Sequence, residues 1–400
     1  MNVLSISIKS LRSNPLSAGL NILLIAFGVG IITLLLLASN QIESKLDNNS
    51  KDIDLVVGAK GSPLQLILSS IFYIDFPTGN IPLKDADALA HNPLVKTAVP
   101  LALGDNYNGF RIAGTNSGFI KLYDLKLAKG QFWKNDFEVT VGSVVAENQH
   151  LKVGAHFFGA HGLTGNGDIH KSHAYMVTGI LTPEGNVTDN IVLTNVASVW
   201  KMHETKEVHA DGKPEAYENG EREITSLLIQ YRSPMSVVLF PRMVNQSTSM
   251  QAASPALESA RLFSLIGVGV DTLQWFAVLI MVISAISVFV SLYNSLKERK
   301  YDLAIMRTMG ASRIKLFLII ITEGICLTVT GTVVGLVLGH LALQMIGHYQ
   351  DSTQAKLSGG IFLVQETYLI GVGSGIGLIA SLLPALQAYR SNISKILAQN

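Results

Sequence analysis

Four long apolar runs mark this chain, one near its start and three in its last third. Between the first and second lies a stretch of short apolar runs broken by polar residues, glycine and proline. The first run, Leu16 to Ala38, carries no charge over about twenty residues, enough to cross a ~30 Å hydrocarbon core at ~1.5 Å per residue. The second is Leu273 to Leu292, and the third is Leu316 to Ile346, interrupted by Glu323 and His340. The fourth, Tyr368 to Leu386, is glycine-rich and ends near Pro384. Four buried core helices are the competing reading, but uncharged runs of this length disfavour it. Transmembrane helices are therefore predicted over 16–39, 271–293, 314–346 and 367–388. Lys9 and Arg12 give the first run a basic start, as in a signal peptide. Its length exceeds the ~7–15 residues of a cleaved apolar region, so it reads as an uncleaved signal anchor.

The middle stretch, 40–270, has the texture of a folded α+β domain. Short β-branched runs read as strands: Ile53–Val57, Val95–Val99, Phe110–Ala113, Val139–Val145, Tyr175–Leu181, Ile191–Thr194, Ser226–Gln230 and Ser236–Phe240. Leu83–Ala90, after Pro82 and with Asp85 near its start, reads as a short helix, and Ile191–Met202 as a strand leading into a helix. Two lobes are expected, about 52–145 and 146–225. Asn40–Lys51 and Met243–Val270 read as stalk helices continuing the first and second spans. The apolar run Leu64–Phe76 is too short to span. It is either a core helix, the favoured reading, or a surface element for a leaflet or an apolar substrate.

Composition agrees. Apolar residues reach 48% and charged residues only 15%, against the ~25% charged of soluble domains. Net charge of +1 hides an asymmetry. The N-terminal segment (1–15), the loop 294–313 with Lys315 just beyond it, and the tail 389–400 must share one side of a four-span protein. They carry ten basic residues against Glu298 and Asp302, whereas Asn40–Asp271 carries 19 basic and 24 acidic residues. The positive-inside rule makes the first side cytoplasmic and puts 40–270, with the short loop 347–366, outside. The single cysteine, Cys326, lies in the third span, so no internal disulfide can brace the outer domain. The expected architecture is a membrane α-helical protein of four transmembrane helices, with an α+β extracytoplasmic domain inserted between helix 1 and helix 2.

The loop between spans two and three is the most informative segment. Lys297–Met309 has helical spacing, with Leu303, Ile305, Met306 and Met309 apolar and basic residues elsewhere, as in a short helix at a membrane surface. Gly310 is placed to end it and Ser312 to cap the next helix. A loop whose charges only fix topology is the plainer alternative. The run Glu298–Tyr301–Asp302–Leu303–Ala304–Ile305–Met306–Arg307–Thr308–Met309–Gly310–Ala311–Ser312–Arg313, followed by Glu323–Gly324, resembles the signature of the FtsX/MacB-like permeases of ABC transporters. Pro384–Ala385–Leu386–Gln387–Ala388–Tyr389–Arg390 and Ile396–Leu397 resemble that family's close, although Ser391–Asn392–Ile393 stand where it often has proline. The resemblance covers the outer domain only by position and size, where it implies a MacB-like periplasmic core.

The resemblance implies a homodimeric permease subunit in a bacterial inner membrane, worked by a separate cytoplasmic ABC ATPase. Asp302, Leu303, Ile305, Met306, Arg307, Met309, Gly310 and Arg313 would form its coupling element. Motion would reach the outer domain through the stalks and serve export, lipoprotein handling or force transmission, with a possible periplasmic partner or lipoprotein. The chain has no G-x-x-x-x-G-K-[ST] phosphate loop, which fits a motor carried by another subunit. No enzymatic activity, cofactor or nucleic-acid partner is expected; membrane lipid is. The alternative function is a membrane-anchored sensor or scaffold whose outer domain binds a ligand without ATP coupling. A third is a membrane-bound metallohydrolase.

Three further features bear on function. Glycines four apart, Gly331–Gly335–Gly339, Gly371–Gly375 and Gly373–Gly377, make smooth faces for close helix packing, within the chain or in a dimer. Glu323 is an intramembrane carboxylate near the inner end of its span, placed either to reach the interface or to pair with Arg313 or Lys315. His340 reads as a hydrogen-bonded polar residue. Histidines gather in the outer segment at His150, His156, His161, His170, His173, His203 and His209. His156, His161, His170 and His173 are the candidates for a metal site, though no firm ligand spacing is present, and the alternative is a polar loop that contacts a partner or substrate.

Overall fold

A computed structural model describes residues 3–162, 169, 173–203, 222–349 and 357–390. The chain opens with α1 (Val3–Ser13) and α2 (Pro15–Asn49), then β1 (Leu55–Ala59), α3 (Pro63–Ser70), β2 (Ile81–Pro82) and α4 (Leu83–Ala90). It continues through β3 (Val95–Tyr107), β4 (Phe110–Thr115), α5 (Ser117–Leu122), β5 (Leu127–Gly130), β6 (Glu138–Val141) and α6 (Ser143–Asn148). Next come β7 (His156–Phe157), β8 (Ala160–His161), β9 (Tyr175–Leu181), β10 (Ile191–Asn195), α7 (Val196–His203), β11 (Glu223–Ile224) and β12 (Ser226–Tyr231). The last elements are α8 (Ser236–Ser247), β13 (Met250–Ala253), α9 (Pro255–Glu298), α10 (Lys300–Thr308), α11 (Arg313–Tyr349) and α12 (Gln365–Arg390).

The chain forms two compact units, with the boundaries between Gln41 and Ile42 and between Leu265 and Ile266. Both boundaries fall inside single helices, α2 and α9. Of the expected stalk at Asn40–Lys51, the part to Asn49 is the end of α2, and Ser50 and Lys51 lie beyond it.

In the helical unit, α2, α9, α11 and α12 are each long and apolar enough to cross a membrane. Close approach depends on small residues. A Cβ on Gly331 would sit 2.8 Å from the Cβ of Ile25, one on Gly335 2.7 Å from the Ala26 carbonyl oxygen, and one on Gly339 2.8 Å from the Cβ of Thr33. These three glycines therefore seat α11 on α2. The Gly371–Gly375 pair does not pack in this way, because open space surrounds both. It is Gly373 and Gly377, half a turn around α12, that meet Thr332 and Thr328 of α11. Glycines two apart on one helix point to different sides, so the spacing alone did not say which pair faces inward.

The α/β unit is built on one sheet in the order β13-β1-β12-β3-β4-β10-β6-β9-β5, with β7 added on β9 and β8 on β3. The expected two lobes do not exist: β10 lies between β4 and β6, so the two halves of the sequence interleave. Long β3 pairs with β12 along its first part and β4 along its second. Both faces of the sheet are covered. Val56 enters one apolar cluster with Leu66, Ile67, Val99 and Leu101, while its neighbours Leu55 and Val57 enter another with Phe240 and Val244. This explains why β1 is a continuous apolar run rather than an alternating one. The Leu64–Phe76 run is mainly a core element, with Leu66, Ile67, Ile71, Phe72 and Tyr73 buried.

Three strand and stalk expectations are corrected. Ser236–Phe240 is not a strand but the start of α8, where Ser236, Phe240 and Val244 are buried at helical spacing and Val237 and Val238 face outward. The β-branched pair suggested a strand, and tertiary burial overrode that propensity. Strand β6 stops at Val141, before the expected Val145. Gly142 packs against the Asp189 carbonyl, 2.3 Å from where a Cβ would be, and opens helix α6. The Met243–Val270 stalk is interrupted by β13, which pairs with β1 through Val56↔Ala253 and Ala59↔Met250. The Asn245 Oδ1 accepts the Ala252 N–H at 2.8 Å and secures this turn. Helix α9 begins only at Pro255, a residue suited to the first helical position.

The glycine contacts carry a prediction. Gly335→Val should lower the melting temperature of the detergent-solubilised chain, because overpacking against backbone costs about 1–3 kcal/mol. Gly371→Ala should leave it unchanged or slightly higher. Equal effects from the two substitutions would contradict the packing described.

Candidate coupling site

Helix α10 is short, and local chemistry bounds it at both ends. Arg299 leaves helical geometry, with φ −103° and ψ 15°, and separates α10 from α9. Asp302 lies in the first turn and Arg307 in the last, each complementing the helix dipole by about 0.3–1 kcal/mol. At the far end Gly310 adopts φ +96°, a conformation that L side chains rarely take. The Gly310 N–H donates to the Arg307 carbonyl (3.1 Å) and the Ala311 N–H to the Met306 carbonyl (3.0 Å), a paired arrangement that closes the helix. The Ser312 Oγ then accepts the Lys315 N–H at 3.3 Å and caps α11.

The helix has two faces. Leu303 and Ala304 are buried, and Leu303 and Met306 pack on an apolar cluster with Leu296, Leu316, Ile319, Ile320 and Ala385. Tyr301, Ile305 and Met309, four residues apart, form an exposed apolar row, with Met309 76% exposed. Exposed Asp302 and Arg313 and half-buried Arg307 surround this row. An apolar ridge rimmed by charge is what a groove on another protein grips.

The base of α10 is anchored by an ion pair whose carboxylate is buried and whose guanidinium is half-buried. Glu323, 4% exposed, accepts from the Arg299 guanidinium at 3.4 Å, and Arg299 also donates to the Ser10 Oγ. Neither Arg313 nor Lys315 is the partner, contrary to the sequence expectation; both are exposed. Arg299 belongs to the break before α10, so the pair ties α1, the α9–α10 junction and α11 together. Beside it the Ser7 Oγ donates to the Ile319 carbonyl at 3.0 Å. At the other end of α11, His340 bonds the Gly359 carbonyl through Nδ1 (2.6 Å) and Glu366 through Nε2 (2.9 Å). His340 is thus a hydrogen-bonded structural residue.

In the α/β unit the three candidate histidines among the described residues, His156, His161 and His173, do not form one group. His156 lies on β7 opposite Met176, and His173 stacks on Phe137 at 4.5 Å. His170 lies outside the described residues. His161 instead meets two residues that were not expected there, Asp105 and His203. The carboxylate of Asp105 raises the pKa of the His203 imidazole above its ordinary value. Buried Arg111 donates to the carbonyls of Asp75 (3.0 Å) and Gly162 (3.3 Å). Burial lowers its pKa to about 10, so it stays charged at neutral pH. Arg299, Ser10, Glu366 and Asp105 were not picked out from the sequence, because each acts only through a partner distant along the chain.

Removing one member of the Glu323 pair leaves the other charge buried and poorly satisfied. Arg299→Ala should therefore lower the melting temperature of the full chain by several degrees, and Glu323→Gln, which keeps a hydrogen bond to Arg299, by less. Thermal unfolding in detergent measures both. An unaffected Arg299→Ala would mean that the pair is not an anchor.

With this geometry in place, comparisons with known proteins can be read. The MacB-like periplasmic core domain family matches residues 18–240, and the FtsX-like permease C-terminal family matches residues 275–393. A comparison with curated proteins finds no match. Among solved structures, the periplasmic region of MacB from Actinobacillus actinomycetemcomitans is similar at 9% identity and a TM-score of 0.34, covering 55% of this chain and 97% of that one. The extracellular domain of the noncanonic ABC-type transporter YknZ from Gram-positive bacteria is similar at 13% identity and a TM-score of 0.31, covering 50% and 99%.

Proposed function

The chain belongs to the FtsX/MacB-like permeases of ABC transporters, and from that premise we propose that it converts ATP hydrolysis by a separate cytoplasmic ATPase into movement of its α/β unit. Helix α10 is the docking element, and its exposed row Tyr301–Ile305–Met309 is the observation that carries the reading. The apolar row fills a groove on the ATPase, while Asp302, Arg307 and Arg313 set its orientation. Motion at α10 passes to α9 across the Arg299 break, and the Arg299–Glu323 pair carries it to α11 and α1. Helices α2 and α9 continue without interruption across the unit boundaries, which supports their role as levers. The α/β unit lies outside the bacterial inner membrane, and the chain itself performs no catalysis. It works as a homodimer, and its outer unit handles a lipoprotein or another periplasmic partner, for export or force transmission.

Two experiments test this. The double substitution Ile305→Asp with Met309→Asp removes the apolar row at exposed positions and should leave the melting temperature unchanged. Co-purification of the ATPase should fall at least tenfold, as should permease-dependent stimulation of hydrolysis in lipid nanodiscs. Wild-type behaviour in both assays would overturn the docking role. Topology is tested by single cysteines in a Cys326→Ser background. A cysteine at Lys129 should react with a membrane-impermeant maleimide applied to the outer face, and one at Ser312 should not; the opposite pattern would invert the orientation.

A further inference from the structure

The α/β unit contains a side-chain cluster that the coupling role does not use. Asp105 sits on β3 next to a bulge where the register with β4 shifts between Leu103 and Asp105. A bulge re-aims the side chains beside it. Its carboxylate is fully buried. His161 lies directly opposite on β8, in register with Asp105. His203 is the last residue of α7. Three segments far apart in sequence thus bring two imidazoles to one carboxylate.

The distances distinguish what such a cluster is built for. The Asp105 Oδ1 is 3.4 Å from the His161 Nδ1 and 3.4 Å from the His203 Nε2, and all three ligand atoms lie within 4.8 Å of one another. In a tetrahedral zinc site with bonds of about 2.0–2.1 Å, neighbouring ligand atoms stand about 3.3–3.4 Å apart. The imidazole rings are 4.9 Å apart and inclined by 30°, and one nitrogen of each approaches the same carboxylate oxygen, Oδ1 of Asp105.

The surrounding structure holds these positions. The Asn106 amide donates to the carbonyls of Ala160 (3.1 Å) and Gly162 (2.9 Å) and clamps β8 around His161. Arg111 grips the same Gly162 carbonyl. Helix α7 is set by the Asn195 Oδ1, which accepts the Ser198 N–H at 2.6 Å, and by buried Met202 next to His203. The ligands are therefore placed by the fold. The side chains of His161 and His203 remain 50% and 37% exposed, which leaves a path from solvent.

We propose that Asp105, His161 and His203 form a binding site for a divalent transition-metal ion of the zinc class. Two imidazoles and one carboxylate are a donor set that zinc accepts, and the three ligands found among the described residues leave a fourth position for water or a further ligand. An open, solvent-reached site suits an ion that is sensed or handed on. The site stands independently of the ATPase-coupling role, because it rests on residues of the α/β unit alone.

The test uses the full chain in detergent, purified without a polyhistidine tag and stripped with chelator. Zinc titration by calorimetry should show one ion bound per chain at this site. His161→Ala, His203→Ala and Asp105→Asn should each weaken that binding at least tenfold, while His156→Ala and His173→Ala should not. Cobalt loading should give the intense visible spectrum of a tetrahedral ion, lost in His161→Ala. Because His161 is half exposed, that variant should keep the metal-free melting temperature, which separates lost ligation from lost folding. Absence of zinc binding would overturn the site. So would equal weakening by the His156 and His161 variants, which would indicate diffuse binding by histidine-rich segments.

Discussion

A peptide group that leaves water must find its hydrogen-bond partner within the protein, and this chain meets that demand in two ways. In the helical unit every long apolar segment satisfies its own backbone, so α2, α9, α11 and α12 are single helices. In the α/β unit the backbone is satisfied between segments, and one sheet gathers strands from residue 55 to residue 253. The two solutions join inside helices rather than in loops, at Gln41–Ile42 and Leu265–Ile266.

Once the backbone is satisfied, the packing of side chains decides the rest. Glycines on one face of α11 let it approach α2 to a separation that a single methyl group would prevent. Dense apolar contact of this kind is the main source of helix association where no water is displaced. Polar groups then act as fasteners at defined points. Glu323 with Arg299 joins three segments at one end of α11, and His340 with Glu366 and the Gly359 carbonyl does so at the other. Each pair is costly if broken and so favours one arrangement over its alternatives. The break at Arg299 and the glycine at 310 delimit α10 between two long helices.

The legible and the illegible parts of the fold divide along physical lines. Leu83–Ala90 and Tyr175–Leu181 have the bounds read from local pattern, because a proline start and β-branched composition act over a few residues. Gly310 and Ser312 end α10 and begin α11 for equally local reasons. Ser236–Phe240 failed because the packing of Phe240 and Val244 outweighed the strand propensity of Val237 and Val238. The stalk at Met243–Val270 failed because Met250–Ala253 has an edge to pair with on β1, which lies nearly two hundred residues earlier. Glu323 was recognisable as a buried carboxylate, but Arg299 as its partner depended on how the chain turns before α10.

The sequence by itself determined the four apolar helices, the mixed α/β character of the long segment after the first, and the position of α10 with its stop signal. These follow from hydropathy, periodicity and turn chemistry, all of which act within about one helix length of a residue. Only the tertiary structure decided which glycines face a neighbouring helix, which arginine meets Glu323, and which two histidines meet Asp105. Those outcomes depend on sheet order, bulge position and helix rotation, which set the direction of a side chain and are not encoded in the spacing of residues along one segment.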